Sequence, residues 1–163
     1  MPKGNKPLSQ SAQSVQTALL KKGLTVEILE LSSSTHTAHD AATSLGCDVG
    51  QIMKSLLFRS TETNQPILIL ASGANRVNEK SIETLLGEKI TKADADFTRE
   101  ITGFAIGGVP PLGHKQIIHS IFIDEDLLKF ETLWAAAGTP HAVFSLYARD
   151  IEWLIHGQIV SVK

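Results

Sequence analysis

Lys54 stands between Ile52-Met53 and Leu56-Leu57-Phe58, the most apolar neighbourhood of any lysine in the chain. An ammonium drawn out of water there needs an anion or several carbonyl oxygens around it. On the residues alone two roles stay open. Lys54 either starts an edge strand and snorkels to water, or serves as a fixed cation for a phosphate or as a donor to a polar substrate. A second candidate is Gly107-Gly108-Val109-Pro110-Pro111-Leu112-Gly113. Paired glycines let backbone N–H groups approach a ligand, and the prolines that follow fix φ and stiffen the loop. A plain turn or bulge is the competing meaning. The third is Gly138-Thr139-Pro140-His141, either a tight turn between two apolar segments or a second loop offering amides, Thr139 or His141 to the same cleft.

Other chemistries find little support. The six histidines, at positions 36, 39, 114, 119, 141 and 156, form neither H-E-x-x-H nor a Cys/His metal spacing. No metal is expected. The glycine loop is neither a Walker A loop nor G-x-G-x-x-G, so no nucleotide cofactor is expected either. A Ser–His–Asp hydrolase lacks its G-x-S-x-G elbow. The lone Cys47 excludes an internal disulfide and any CxxC pair. A hydrolase built from these residues has no side-chain nucleophile.

The elements that must position the candidates are readable from periodicity. Ala12, Val15, Ala18 and Leu19 form one helical stripe, stopped by Gly23. Residues 25–31 read as a strand. Thr37 and Asp40 form a capping box that opens a helix through Leu45. Residues 48–52 suggest a helical turn, and residues 53–58 and 66–71 a strand hairpin turned at Asn64. Residues 79–86 and 94–101 read as short helices, 117–123 as a strand and 142–146 as an apolar segment. Residues 149–156 read as a helix and 159–162 as a last strand. Helices and strands alternate without the rhythm of a doubly wound sheet. The expected class is α/β, a mixed β-barrel or sheet with surrounding helices.

The chain has 163 residues, which suits one domain, expected over residues 11–163 behind a flexible lead-in at 1–10. Its 42% hydrophobic content gives a sizeable core. The net charge of -2 argues against a strongly electrostatic nucleic-acid binder but permits a local basic groove. That groove would gather Lys54, Arg59, Arg76, Lys80 and Lys115 at one mouth, with the acidic run Asp124-Glu125-Asp126 facing elsewhere. No targeting or membrane-spanning stretch is visible, so a cytoplasmic protein with no membrane partner is expected.

Four segments in order carry a family resemblance: Ser34-Thr35-His36-Thr37-Ala38, Gln51-Ile52-Met53-Lys54-Ser55-Leu56, residues 102–113, and Ala137-Gly138-Thr139-Pro140. Together they resemble the YbaK/ProX family of free-standing aminoacyl-tRNA editing domains, related to the insertion domain of bacterial prolyl-tRNA synthetases. The resemblance implies a mixed β-barrel with helices. It also implies hydrolysis of the ester joining a wrong amino acid to tRNA, typically alanine or cysteine on tRNA(Pro). Lys54 would then contact the substrate end of the tRNA, and Gly107 and Gly108 would hold the aminoacyl ester. The pocket walls would come from Thr35, Thr37, Met53, Phe104, Gly138, Thr139 and His141. Ser55 departs from the alanine-specific members, which carry Asn after the lysine, and the cysteine-specific members differ near Gly138. Mischarged tRNA is the implied partner, with a synthetase as a second and no DNA. A non-catalytic tRNA- or synthetase-binding module of the same fold is the alternative.

Overall fold

A computed structural model describes residues 7–163. The lead-in expected over residues 1–10 lies mostly outside the described residues, and Ser9 within it already caps the first helix. Its side chain accepts from the Ala12 N–H at 3.1 Å, and α1 (Gln10–Lys21) follows, burying Ala12, Val15 and Leu19. After β1 (Ile28–Glu30), Thr37 and Asp40 make the expected capping box for α2 (Ala38–Leu45). A 3-10 turn at Val49–Gln51 leads into β2 (Ile52–Ser60), which forms a hairpin with β3 (Pro66–Ser72). Asn64, the one non-glycine with positive φ among the described residues, sits in the hairpin turn. An Asn tolerates that conformation better than most side chains.

Next come α3 (Glu79–Leu86), β4 (Ile90–Lys92) and α4 (Ala95–Thr102). The chain ends through β5 (Ser120–Asp124), β6 (Thr132–Ala136), β7 (Ala142–Tyr147), α5 (Ile151–Leu154) and β8 (Gln158–Val160). Of the helix expected over residues 149–156, Ile151–Leu154 is α-helix and the rest is not. A 3-10 turn takes Ala148–Asp150, and extended backbone at Ile155 ends α5 after one turn. Strand β4 is too short to announce itself by alternation.

All eight strands form one mixed sheet in the order β1-β7-β6-β2-β3-β5-β8, with β4 pairing beside β2. Strands β2 and β6, β3 and β5, and β5 and β8 run parallel; the other pairs are antiparallel. This is the expected mixed α/β class, a central sheet surrounded by helices. The core lies on both faces. Leu57, Leu68 and Leu70 pack with Ala12, Val15 and Leu19 of α1. Phe58, Ile67, Ile69 and Ala71 pack on the other face with Ile82 of α3. Strand β3 is therefore buried on both faces, which is why it reads as an unbroken apolar run. Among the described residues no helix is long and apolar enough to cross a membrane.

The glycine- and proline-rich stretch between α4 and β5 folds inward, burying Val109 to Leu112. The His114 ring closes it, with Nε2 2.7 Å from the Pro110 carbonyl oxygen. That oxygen can only accept, so Nε2 carries the proton. Burial depresses the His114 pKa, and the Pro110 hydrogen bond offsets part of the effect. The folded chain thus resists a second proton that the unfolded chain takes up near pH 6.5. Stability should hold above about pH 6.5 and fall below it, with this group contributing at most about 1.4 kcal/mol per pH unit. Urea titrations across that range should show the fall, and His114→Gln, which cannot titrate, should flatten it. An unchanged slope in the variant would remove His114 as the source.

Candidate functional site

The site begins with the pairing of β2. Its Ile52 carbonyl accepts from the Gly73 N–H and its Ser60 N–H donates to Gln65. Even-numbered peptide groups of β2 therefore face β3, along the whole hairpin. Odd-numbered ones face the opposite edge, where Leu57 accepts from the Ala93 N–H. On that edge β6 pairs only with Ile52 and Met53, and β4 only with residues 58–60. Between them the sheet is split, and a cleft of about 570 Å³ occupies the split. This is an ordinary size for a small-molecule site. Because the sheet opens there, side chains from both faces of β2 line the cleft, Met53, Ser55 and Leu57 from one and Lys54, Leu56 and Phe58 from the other. The Ser55 hydroxyl oxygen is buried with no hydrogen-bond partner among the described residues.

Lys54 is half-buried, and its Nζ donates to the Asn75 carbonyl oxygen at 3.0 Å. Burial lowers its pKa, and the charge of Asp124 pulls it back up. The geometry behind that charge overturns one expectation. The acidic run does not face away from the cationic mouth. Lys54 pairs with Ala71, and the parallel register of β3 with β5 brings Asp124 next to Ala71. Asp124 is fully buried and accepts from the Ser72 N–H at 2.9 Å and from Asn75 Nδ2 at 2.8 Å. Hydrogen bonds from Lys129, Asn75 and Lys163 hold Asp126 well below the usual carboxylate range. Of the five cations expected at the mouth, Lys54 and Arg76 line the cleft. Arg59 lies over the Phe97 ring, and Lys115 borders a shallow depression beside α1.

The loop before α2 brings Thr35 and Thr37 to the cleft. It is held by Asp40, whose carboxylate accepts from the N–H groups of His36 and Thr37 at 3.2 and 3.3 Å. The glycine loop brings Gly107, at φ 90°, to the cleft as well. Gly108 does not line the cleft. Its N–H donates to the Ala105 carbonyl oxygen, whereas the Gly107 N–H has no main-chain acceptor among the described residues. Gly108 instead docks the third loop, its carbonyl accepting from the Gly138 N–H at 3.0 Å.

Gly138 and Thr139 therefore lie behind the cleft wall, and Pro140 is the residue of that loop which reaches it. His141 sits beside the mouth, its ring centroid 6.2 Å from that of His36, and its buried Nδ1 has no partner among the described residues. Phe104 is absent from the cleft wall. Its N–H donates to Thr102 Oγ1, and the ring turns into the core with α1.

Sequence reasoning missed Lys92, Ile106 and Trp134, which line the cleft. Trp134 is half-buried against the Ala41-Ala42 face of α2, beside the partly buried Cys47, whose thiol burial pushes up. Among the described residues no group of His, Cys, Asp or Glu is arranged to hold a metal.

Comparison with known proteins follows the same geometry. Residues 32–153 match the aminoacyl-tRNA editing domain family. The uncharacterized protein YwhH of Bacillus subtilis is 30% identical over 144 residues, covering 87% of this chain and 89% of that one. The proline–tRNA ligase of Limosilactobacillus fermentum is 33% identical over 96 residues, 56% of this chain but only 17% of the ligase. A crystal structure described as a candidate trans-editing enzyme for prolyl tRNA synthetase superposes with a TM-score of 0.90. It is 41% identical, covering 96% of this chain and 99% of that one. The chain belongs to the aminoacyl-tRNA editing domain family. Its fold is that of the YbaK/ProX-like trans-editing domains.

The contact between the two glycine loops has a measurable cost attached. A Cβ on Gly108 would lie 2.8 Å from Thr139 Cα and 2.9 Å from the Gly138 carbonyl oxygen. Both are backbone atoms, so the loops must part. Gly108→Ala should destabilise the fold by about 1–3 kcal/mol, as overpacking does, read as a lowered denaturant midpoint with the same m-value. An unshifted midpoint would mean that the loops are not in contact.

Proposed function

We propose that the protein is a trans-editing deacylase that hydrolyses the ester of mischarged aminoacyl-tRNA, with alanine or cysteine on tRNA(Pro) as the substrate class. The observation that carries this reading is one cleft lined both by Lys54, whose ammonium makes a single hydrogen bond, and by Gly107, whose N–H has no main-chain acceptor among the described residues. Family membership and the likeness to a candidate trans-editing enzyme support the same reading.

In this mechanism Lys54 binds the terminal nucleotide of the tRNA through its two remaining N–H donors. Arg76 and Lys92 add positive charge at the mouth. Water adds to the ester carbonyl, and the oxyanion that forms takes a hydrogen bond from the Gly107 N–H. One such preorganised donor contributes on the order of 10²–10³ in rate. Collapse expels the terminal ribose oxygen of the tRNA, which takes a proton derived from the attacking water. The products are the free amino acid and uncharged tRNA. No step calls for a side-chain nucleophile or a cofactor.

Editing of this kind is needed because one methylene gives a synthetase only about 10–200-fold discrimination. Ala93, Ala135 and Ala136 on the cleft wall suit a small amino-acid side chain. Ser55, which lines the cleft with an unpartnered hydroxyl, is the side chain this reading assigns to the choice between alanine and cysteine. A net charge of -2 with cations at one mouth implies weak, salt-sensitive tRNA binding. A synthetase that delivers the tRNA would supply the rest of the affinity.

The test is a panel of mischarged tRNAs assayed for amino-acid release. Ala-tRNA(Pro) or Cys-tRNA(Pro) should be deacylated and Pro-tRNA(Pro) spared. Lys54→Ala should lose roughly 10–150-fold in kcat/KM, as expected for one charge-assisted hydrogen bond of about 1.5–3 kcal/mol, with an unchanged circular dichroism spectrum. Full activity in a folded Lys54→Ala variant would overturn the mechanism. Release from none of the tRNAs would favour the non-catalytic binding module.

A further inference from the structure

A lysine side chain has a flexible four-carbon stem, and catalytic groups must be held close to their productive geometry. Lys54 is held by one hydrogen bond, to the carbonyl oxygen of Asn75 in the loop after β3. That carbonyl is fixed in turn. The Asn75 N–H closes a turn onto Ser72 at 3.0 Å. Both hydrogens of its side-chain amide are spent, one on Asp124 Oδ2 and one on Asp126 Oδ2, each at 2.8 Å. Two carboxylate oxygens can only accept, so the amide has one orientation. The carboxylates have further partners of their own. Asp124 accepts from the Ser72 and Asp126 N–H groups, and Asp126 is paired with Lys129 at 2.8 Å and Lys163 at 3.1 Å.

We propose that Asn75 is a positioning residue for Lys54, its carbonyl aimed at Nζ by a side chain clamped between Asp124 and Asp126. The proposal rests on the deacylase reading for the role of Lys54, though not for the geometry. It also explains why the counter-charge stands one residue back. A carboxylate bonded directly to Nζ would neutralise and sequester the ammonium. A neutral carbonyl takes one of its three hydrogens and leaves two for an anionic ligand, while the buried negative charge behind it favours the protonated state. The other charged or titratable side chains facing the cleft are His36, Arg76, Glu79 and Lys92.

The test is Asn75→Ala, which keeps the carbonyl and removes its clamp. The Lys54 Cε protons are read by NMR in the full chain without tRNA. In a held side chain the two protons differ in shift, and in a freely rotating one they coincide. The expected result is two resolved signals in the wild type, one averaged signal in the variant, and KM for mischarged tRNA raised roughly tenfold or more with kcat changed less than twofold. A smaller folded fraction would do the reverse, lowering the apparent kcat and leaving KM unchanged. Resolved signals and an unchanged KM in the folded variant would overturn the proposal. If the wild type deacylates no tRNA and the signals still collapse, the positioning stands and the deacylase reading falls. Should Asn75→Ala not fold, Asp126→Asn removes one arm of the clamp. It should broaden the same signals, and sharp, resolved ones would overturn the proposal equally.

Discussion

The structure depends on one unequal strand. β2 is satisfied along its whole length by β3 but only at its two ends on the other edge. A strand edge carries N–H and C=O groups that must find partners, and here the middle of the edge is left to a cleft. The split also frees the side chains. In an unbroken sheet Lys54 and Ser55 would point to opposite layers and never meet the same molecule. At the split both line one cavity, and the loops of Thr35, Gly107 and Pro140 complete its walls.

Electrostatics follows from the same arrangement. A fully buried carboxylate two strands from a half-buried ammonium is costly in isolation for either partner. Here Asp124 has every nearby donor turned towards it, from Ser72, Asn75 and Asp126. The molecule's slight negative charge is therefore compatible with a cationic mouth, because part of the negative charge is the mouth's internal support. Charge totals cannot express this, since they carry no information on which side of a cation an anion stands.

Much of the fold was legible. The stripe of α1, the capping box of α2, the hairpin of β2 and β3, and α3 ending at Gly87 all follow local rules of period and termination. Lys54 stood out because its neighbours in sequence are also its neighbours in a strand. Asn75 and Asp124 did not: Asn75 reaches Lys54 from the loop after β3 through its main-chain carbonyl, which any residue type would offer, and Asp124 is brought near by the parallel register of β3 with β5. Phe104 and Gly108 belong to the glycine-rich stretch that reaches the cleft at Gly107 but do not line it themselves. Their direction is set by a Thr102 hydrogen bond and by a loop–loop contact, neither of which has a period to read.

Helix α1 lies outside the stretch that matches the family, yet both glycine loops are seated on it. A Cβ on Gly113 would strike the Ala18 side chain at 2.8 Å, and one on Gly138 the Ser11 carbonyl oxygen at 2.6 Å. Ala12, Val15 and Leu19 share one core with Val109, Leu112 and Ala137. The stretch that matches the family model is thus smaller than the unit that packs together. A graft of residues 32–153 onto another protein would carry the lining of the cleft and leave behind the helix on which two of its loops rest.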